Sequence, residues 1–187
     1  MPDYLSDTLK NSDVMRFCPR CGKQSLSSQD QYLYTCSTCN FLFYMNTAGT
    51  VVSVIRNDQH QILMTVRGEE PGAGTLDLPG GFIDRYETAE EALLREVKEE
   101  LNLRIKEYQF LFSAHNRYPY RDILYHTIDF FFLCRAVNPE EITPSDEIRE
   151  YRFVRLEEIK IEEIGFPSIR NGIIRLRERV RNGEVDL

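Results

Sequence analysis

One run constrains this chain more than any other: Pro79-Gly80-Gly81 followed within a few residues by a strongly acidic helix that ends at Asn102-Leu103. Thr88 with Glu91 three residues on is a capping-box start, in which side chain and backbone satisfy each other's first-turn donors. Asn102 is suited to the left-handed conformation that closes a helix. At 100° per residue, Leu93, Leu94, Val97 and Leu101 gather on one side, the pattern of a core-facing stripe. Glu96, Glu99 and Glu100 gather in another sector. Like charges so placed oppose the helix by a few tenths of a kcal/mol per pair, roughly. Hard, oxygen-seeking cations such as Mg²⁺ or Mn²⁺ would relieve that repulsion. A solvated acidic face is the plainer reading of most charge runs. Here the capped helix and the Pro-Gly-Gly loop in front of it favour a metal.

Around this helix the pattern is that of one α/β domain over residues 48–187. Residues 50–56 and 61–67 are rich in β-branched side chains and are separated by Asn57-Asp58-Gln59-His60, which predicts a hairpin. Residues 68–74 hold three Gly and a Pro and form a loop. Residues 106–113, 125–137 and 149–155 read as strands, and 156–164 and 168–181 as helices. Residues 1–15 lack apolar periodicity and read as a loose arm.

The 187 residues suit one full domain and a small module. Residues 1–16 are polar and acidic, unlike a signal peptide, and no segment has the apolar length of a membrane span. The expectation is a soluble, cytoplasmic protein with no membrane partner. A formal charge of −7 argues against broad sequence-independent binding to nucleic acid, which depends on Lys and Arg neutralising phosphates. It is compatible with an anionic small molecule, because divalent metals can invert the local field.

Four of the five cysteines fall into two close pairs, Cys18/Cys21 and Cys36/Cys39. In a chain of this kind, paired C-x-x-C spacing reads as metal rather than disulfide. The intervening residues can form a hairpin, with a strand at 31–35, that brings four thiolates around one tetrahedral zinc. With every ligand a cysteine, no position remains for water, so this zinc would be structural and would replace a core that the 16–45 module is too small to build. Four thiolates subtract four charges and Zn²⁺ adds two, which takes −7 to −9. Cys134, alone in an apolar run, reads as a buried core residue.

Taken whole, the 80–103 run resembles the Nudix box: Gly, five residues, Glu, seven residues, Arg-Glu, an aliphatic, any residue, Glu-Glu, any residue, Gly, an aliphatic. Gly81, Glu87, Arg95, Glu96, Val97, Glu99, Glu100 and Leu103 stand at the matching positions, and Asn102 stands where the family has Gly. The resemblance implies an α/β (α+β) fold, a mixed β-sheet sandwiched between helices, here preceded by the small zinc ribbon. It implies that Glu96, Glu99 and Glu100, with the Gly80 carbonyl, hold Mg²⁺ or Mn²⁺. It implies that Arg95 and Glu87 orient them, and that the metal polarises a diphosphate and activates water for attack on phosphorus. A later acidic residue usually joins such a site; Asp146, Glu147 and Glu150 are available and Glu147 is favoured. Arg67, just before the loop, is a candidate phosphate contact.

A zinc ribbon in front of such a domain resembles the NADH pyrophosphatase group. That group carries Ser-Gln-Pro-Trp-Pro-Phe-Pro after its box. This chain has Ser113-Ala114-His115-Asn116-Arg117-Tyr118-Pro119-Tyr120 there and no Trp anywhere. Pro119, sixteen residues beyond Leu103, is placed like the Pro of ADP-ribose pyrophosphatases, and Tyr120 like the Tyr of dinucleoside polyphosphate hydrolases. Tyr118 and Tyr120 are candidates for stacking on a base. The expectation is a metal-dependent hydrolase of a nucleoside diphosphate derivative, leaning to ADP-ribose or a nucleotide sugar. NADH or dinucleoside polyphosphates are the alternative substrates, and a catalytically silent Nudix-fold binding module is the alternative of another class. A homodimer stays open.

Overall fold

The computed structural model describes residues 10–187. Nine residues of the expected N-terminal arm therefore lie outside the described part. Of the rest, Asn11–Val14 forms a single helical turn, α1.

Residues group into two compact units. The first joins the chain up to Thr47 with Arg117–His126. It holds a three-stranded antiparallel sheet, β1 (Leu26–Ser28), β2 (Leu33–Cys36) and β3 (Leu42–Tyr44), in that order. Its core is small: Cys18, Leu26, Tyr34 and Cys36, with Met15, Cys39, Phe41, Phe43 and Met45 packed around them. Asn11 is buried and clamps Leu124 from both sides, its Nδ2 donating to the Leu124 carbonyl at 2.8 Å and its Oδ1 accepting the Leu124 N–H at 2.7 Å.

The second unit, Ala48–Asn116 with Thr127–Leu187, carries the larger sheet. Its strands are β4 (Ala48–Arg56), β5 (Gln61–Arg67), β6 (Leu76–Asp77), β7 (Ile105–Tyr120), β8 (Ile123–Ala136) and β9 (Ile148–Arg155). The order is β6-β5-β4-β8-β7, with β9 paired to β5. β4 and β8 run parallel while β5 pairs antiparallel with β4, β6 and β9, so the sheet is mixed. The helices are α2 (Ala89–Leu101) and α3 (Pro167–Arg181). This is the mixed α+β architecture the sequence suggested. β7 and β8 run longer than their predicted cores and meet at Arg121-Asp122, both with positive φ as a tight two-residue hairpin turn requires.

The capping box of α2 is formed, with Thr88 Oγ1 accepting from Glu91 N at 3.2 Å and Glu91 Oε2 accepting from Thr88 N at 2.8 Å. Asn102 ends the helix at φ 56°. Ala92, Leu93, Val97 and Leu101 are buried in a core with Val51, Ile55, Leu63, Phe132 and Cys134. Fully burying aliphatic side chains of this size is worth about 1.5–3 kcal/mol each, enough to fix the azimuth of the helix. Leu94 departs from the expected stripe and is 40% exposed. It sits 100° round from Leu93, the direction about which the face of Ala89, Ala92, Leu93, Val97 and Leu101 is centred, and so falls at the margin of that face.

The helix expected at 156–164 is instead two single 3₁₀ turns, Leu156–Glu158 and Ile161–Glu163. Ile159 and Lys160 between them are extended. Arg177 of α3 takes the carbonyls of Leu156 and Ile159 with its guanidinium, at 2.9 and 2.6 Å from Nη2. Carbonyls so occupied do not need the i→i+4 ladder, and β-branched Ile159 and Ile161 give up little by leaving it.

Candidate active site

Three stretches of the second unit meet at one end of the larger sheet: the 79–83 loop, α2 and the turn before β9. The loop lies along the part of β4 that β5, in register with it only at Arg56, leaves unpaired. Ser53 N donates to the Pro79 carbonyl and Val51 N to the Gly81 carbonyl, both at 2.8 Å, and Ile83 N to the Gly49 carbonyl at 3.0 Å. None of these bonds uses the Gly80 carbonyl. Gly80 has φ 151° and its missing Cβ would run into the Val51 carbonyl, so no other residue fits there. Gly81 leaves room for the next layer: a Cβ on it would meet the Glu96 carboxylate, which would have to move.

Arg95 organises the acids. Its Nε and Nη2 donate to the two oxygens of Glu87, each at 2.8 Å. Nη1 donates to Glu96 at 2.9 Å and Glu99 at 3.0 Å, and Nη2 also to the Phe82 carbonyl at 2.9 Å. The planar fork of a guanidinium makes one residue able to bridge three carboxylates and a loop carbonyl. Glu100 is held separately, its Oε2 accepting from Gly80 N at 3.0 Å.

The acids feel one another. Burial pushes the Glu100 carboxyl up to about 8, with the charges of Glu96, Asp77 and Glu147 adding to the effect and the Gly80 N–H opposing it. Burial also raises Glu96, with Glu99 and Glu147 adding and Arg95 opposing. Of the three late acids, Glu147 is therefore the one whose charge reaches both Glu96 and Glu100. Its loop is fixed by Gly68 N donating to the Glu147 carbonyl at 2.7 Å. Asp146 is exposed, and Glu150 lies on β9 opposite Val66 with its carboxylate 3.9 Å from Arg149.

Asp77 joins this field and was not foreseen from the sequence. It is buried, and burial raises it while Arg67 pulls the other way. Arg67 Nη1 donates to Asp77 Oδ2 at 2.9 Å, its Nε to the Pro71 carbonyl at 2.8 Å, and its guanidinium lies 5.1 Å from the Phe166 ring centre. A lone Asp in the short segment Leu76-Asp77-Leu78 gives no periodic signal. The nearest hint was Arg67 itself, a cation ending an apolar strand.

The carboxylate oxygens of Glu96, Glu99 and Glu100 are drawn to different partners and do not form a tight cluster. Among the described residues, the group whose ligand atoms all lie within 4.8 Å of one another is Cys18, Cys21, Cys36 and Cys39, in the first unit. Cys18 and Cys39 sulfurs are 3.8 Å apart and those of Cys21 and Cys36 3.7 Å. A disulfide would need about 2.05 Å. A tetrahedron with Zn–S of about 2.3 Å has edges of about 3.8 Å, so these two separations match its edges, and all four sulfurs lie within 4.8 Å of one another, a set that could hold zinc. Hydrogen bonding from Ser25, 3.1 Å away, with backbone N–H support, draws Cys36 down to about 6, whereas burial pushes Cys39 up to about 12. Tyr118 and Tyr120 also belong to the first unit, their rings 6.3 Å apart at the hairpin tip. Cys134 is buried in the α2 core.

Residues 46–175 match the family described as the NUDIX domain. A relative from Edwardsiella ictaluri, the NAD-capped RNA hydrolase NudC, is 27% identical over 144 residues, which is 77% of this chain and 54% of that protein. The ADP-ribose pyrophosphatase of Methanocaldococcus jannaschii is 33% identical over 118 residues, 62% of this chain and 66% of the relative. The chain thus spans about half the length of the first of these and some two thirds of the second. Among solved structures, the NUDIX hydrolase from Nitrosomonas europaea matches with TM-score 0.67 and 25% identity, covering 91% of this chain and 94% of that one.

Proposed function

The chain belongs to the NUDIX domain family, and from that premise we propose that it is a divalent-metal-dependent hydrolase. Its reaction would cut the diphosphate link of a nucleoside diphosphate derivative, with ADP-ribose or a nucleotide sugar preferred. The observation that carries this reading is the linked field of Glu96, Glu99, Glu100, Glu147 and Asp77 at one end of the sheet, against which the described structure sets chiefly Arg95 and Arg67.

In this reading Glu96, Glu99 and Glu100, with the Gly80 carbonyl, hold Mg²⁺ or Mn²⁺, and their oxygen-only chemistry suits such ions. When bound, the metal supplies Lewis-acid polarisation of a phosphoryl oxygen and a more acidic water. Arg95, clamped by Glu87, fixes the azimuth of Glu96 and Glu99 so that little reorganisation is needed when substrate arrives. Glu147 approaches from the turn before β9 as the late acid of the site. Arg67 is retained as a phosphate contact on its charge alone, its guanidinium being held by Asp77 and the Pro71 carbonyl. Tyr118 and Tyr120 are retained as base-stacking candidates on their chemistry alone. The four cysteines would hold a structural zinc. Among the described residues no helix is long and apolar enough to cross a membrane, and cytoplasmic residence and a free nucleotide substrate belong to this proposal.

A second reading, cleavage of a nicotinamide dinucleotide or its RNA-linked form, is favoured by relatives that are NAD-capped RNA hydrolases. Against it stand the absence of Trp and of the downstream signature. The deciding experiment compares kcat/KM for ADP-ribose, NADH and diadenosine polyphosphates under Mg²⁺ and Mn²⁺. ADP-ribose leading supports the first reading; NADH leading by tenfold or more replaces it with the second.

A further inference from the structure

A second polar cluster lies in the same unit on the other face of its sheet. β4 and β8 run in parallel register with Thr50 beside Asp129 and Ala48 beside Thr127. Val51 and Phe130 pack into the α2 core, and a Cβ on Gly172 of α3 would strike the Phe131 ring. Alternation along the strands therefore turns Thr50, Thr127 and Asp129 to the α3 side. Asp129 is only 4% exposed. The hydroxyls of Thr50 and Thr127 both donate to its Oδ1, at 2.5 and 2.7 Å. Oδ2 accepts neither of these bonds, and among the described residues no cation pairs with this carboxylate.

Asn116 adds a second acceptor. β7 and β8 are neighbours closed by a two-residue turn, which sets Tyr120 across from Ile123 and hence Asn116 across from Thr127. The stacking of Phe112 on Phe131, ring centres 4.9 Å apart, fits that register. Asn116 is 7% exposed and its Oδ1 is buried with no hydrogen-bond partner. Buried polar atoms are nearly always paired, so the orphan acceptor on Asn116, one strand over from the half-used carboxylate of Asp129, needs an explanation. Asp129 is also near enough to Asp77 for its charge to be felt there, which links the cluster to the acids described above.

We propose that Asp129 Oδ2 and Asn116 Oδ1 form a specificity site that accepts hydrogen bonds from the nucleoside part of the substrate. This rests on the hydrolase reading above. The matching chemistry is a neutral group rich in N–H or O–H donors, and both the exocyclic amine of a base and the hydroxyls of a ribose supply it. Such a site rejects an analogue that lacks the donor, because Asn116 Oδ1 then stays buried and unpaired.

The test uses Asp129→Asn, which keeps an oxygen to accept from Thr50 and Thr127 and turns only the second position from acceptor to donor. Binding of ADP-ribose, of its inosine counterpart and of its 2′-deoxy counterpart is measured by calorimetry, with Ca²⁺ replacing the catalytic metal. The expected result is at least tenfold weaker binding of ADP-ribose, unchanged melting, and no loss for whichever analogue lacks the contacted donor. Asn116→Ala, which removes no hydrogen bond within the protein, carries the same expectation if Asp129→Asn melts more than 5 °C lower. A wild type that binds ADP-ribose while both variants bind it within twofold overturns this assignment alone. A wild type that neither binds nor cleaves any of the nucleotides overturns it together with the hydrolase reading.

Discussion

Replacing Arg95 with Ala removes a group that ties α2 to both Glu87 and the 79–83 loop. Arg95 makes four hydrogen bonds to carboxylates and one to a backbone carbonyl. Bonds of this charge-assisted kind contribute about 1.5–3 kcal/mol each in favourable settings, but they share one side chain and do not add. Breaking a fully buried ion pair costs about 3–5 kcal/mol because a charge is left without compensation. Here Glu87 and Glu96 side chains are 14% and 15% exposed and Arg95 27%, so solvent relieves part of that cost. The Glu99 bond, with 62% of its side chain exposed, adds little. A loss of about 2–4 kcal/mol follows, and at about 2–4 °C per kcal/mol for a chain of this size the melting temperature should fall by about 5–15 °C. Arg95→Lys should recover only part of this, since an ammonium cannot reproduce the fork. Circular dichroism melts in EDTA, with turnover measured in parallel under Mg²⁺, check it. If Arg95→Ala melts within 2 °C of wild type and keeps its turnover, the clamp described here does not operate.

Glu99→Gln and Glu100→Gln should each lower kcat by two or more orders of magnitude, about 2.7 kcal/mol of transition-state stabilisation, while the protein stays folded; steady-state kinetics on both variants would expose a wrong ligand set. Gly81→Ala forces the Glu96 carboxylate aside and should cut kcat at least tenfold; a crystal structure of the variant with Glu96 unmoved would contradict the steric argument. One zinc per chain should survive EDTA treatment that abolishes activity, because the four-thiolate site is closed and the carboxylate site is open. Elemental analysis of Cys36→Ser should then show that zinc lost.

Much of this architecture could be read from the residues because local signals agreed with the global fold. The capping box at Thr88, the left-handed Asn102 and the hairpin at 57–60 each rest on interactions within a few residues, which the sequence displays directly. The 156–164 segment departs from the helix its residues predict because its carbonyls are taken by Arg177, a partner some twenty residues away that no local pattern announces. Asp77 and Asp129 are silent in the sequence for the same reason. Each is a single acid in a short or apolar strand, and its meaning comes from Arg67 in one case and from Thr50, seventy-nine residues distant, in the other. The hairpin tip at 117–126 groups with the cysteine-bearing unit through Asn11, a contact with no trace in spacing or composition.

The most direct test of the account is hydrolysis of ADP-ribose with the metal removed and returned. Purified protein is incubated with ADP-ribose in EDTA, then with excess Mg²⁺, and the products are resolved by chromatography. No cleavage is expected in EDTA, with AMP and ribose 5-phosphate appearing in equal amounts once Mg²⁺ is present. Cleavage that persists in EDTA, or no cleavage of this or any other nucleoside diphosphate derivative under Mg²⁺ or Mn²⁺, would contradict it.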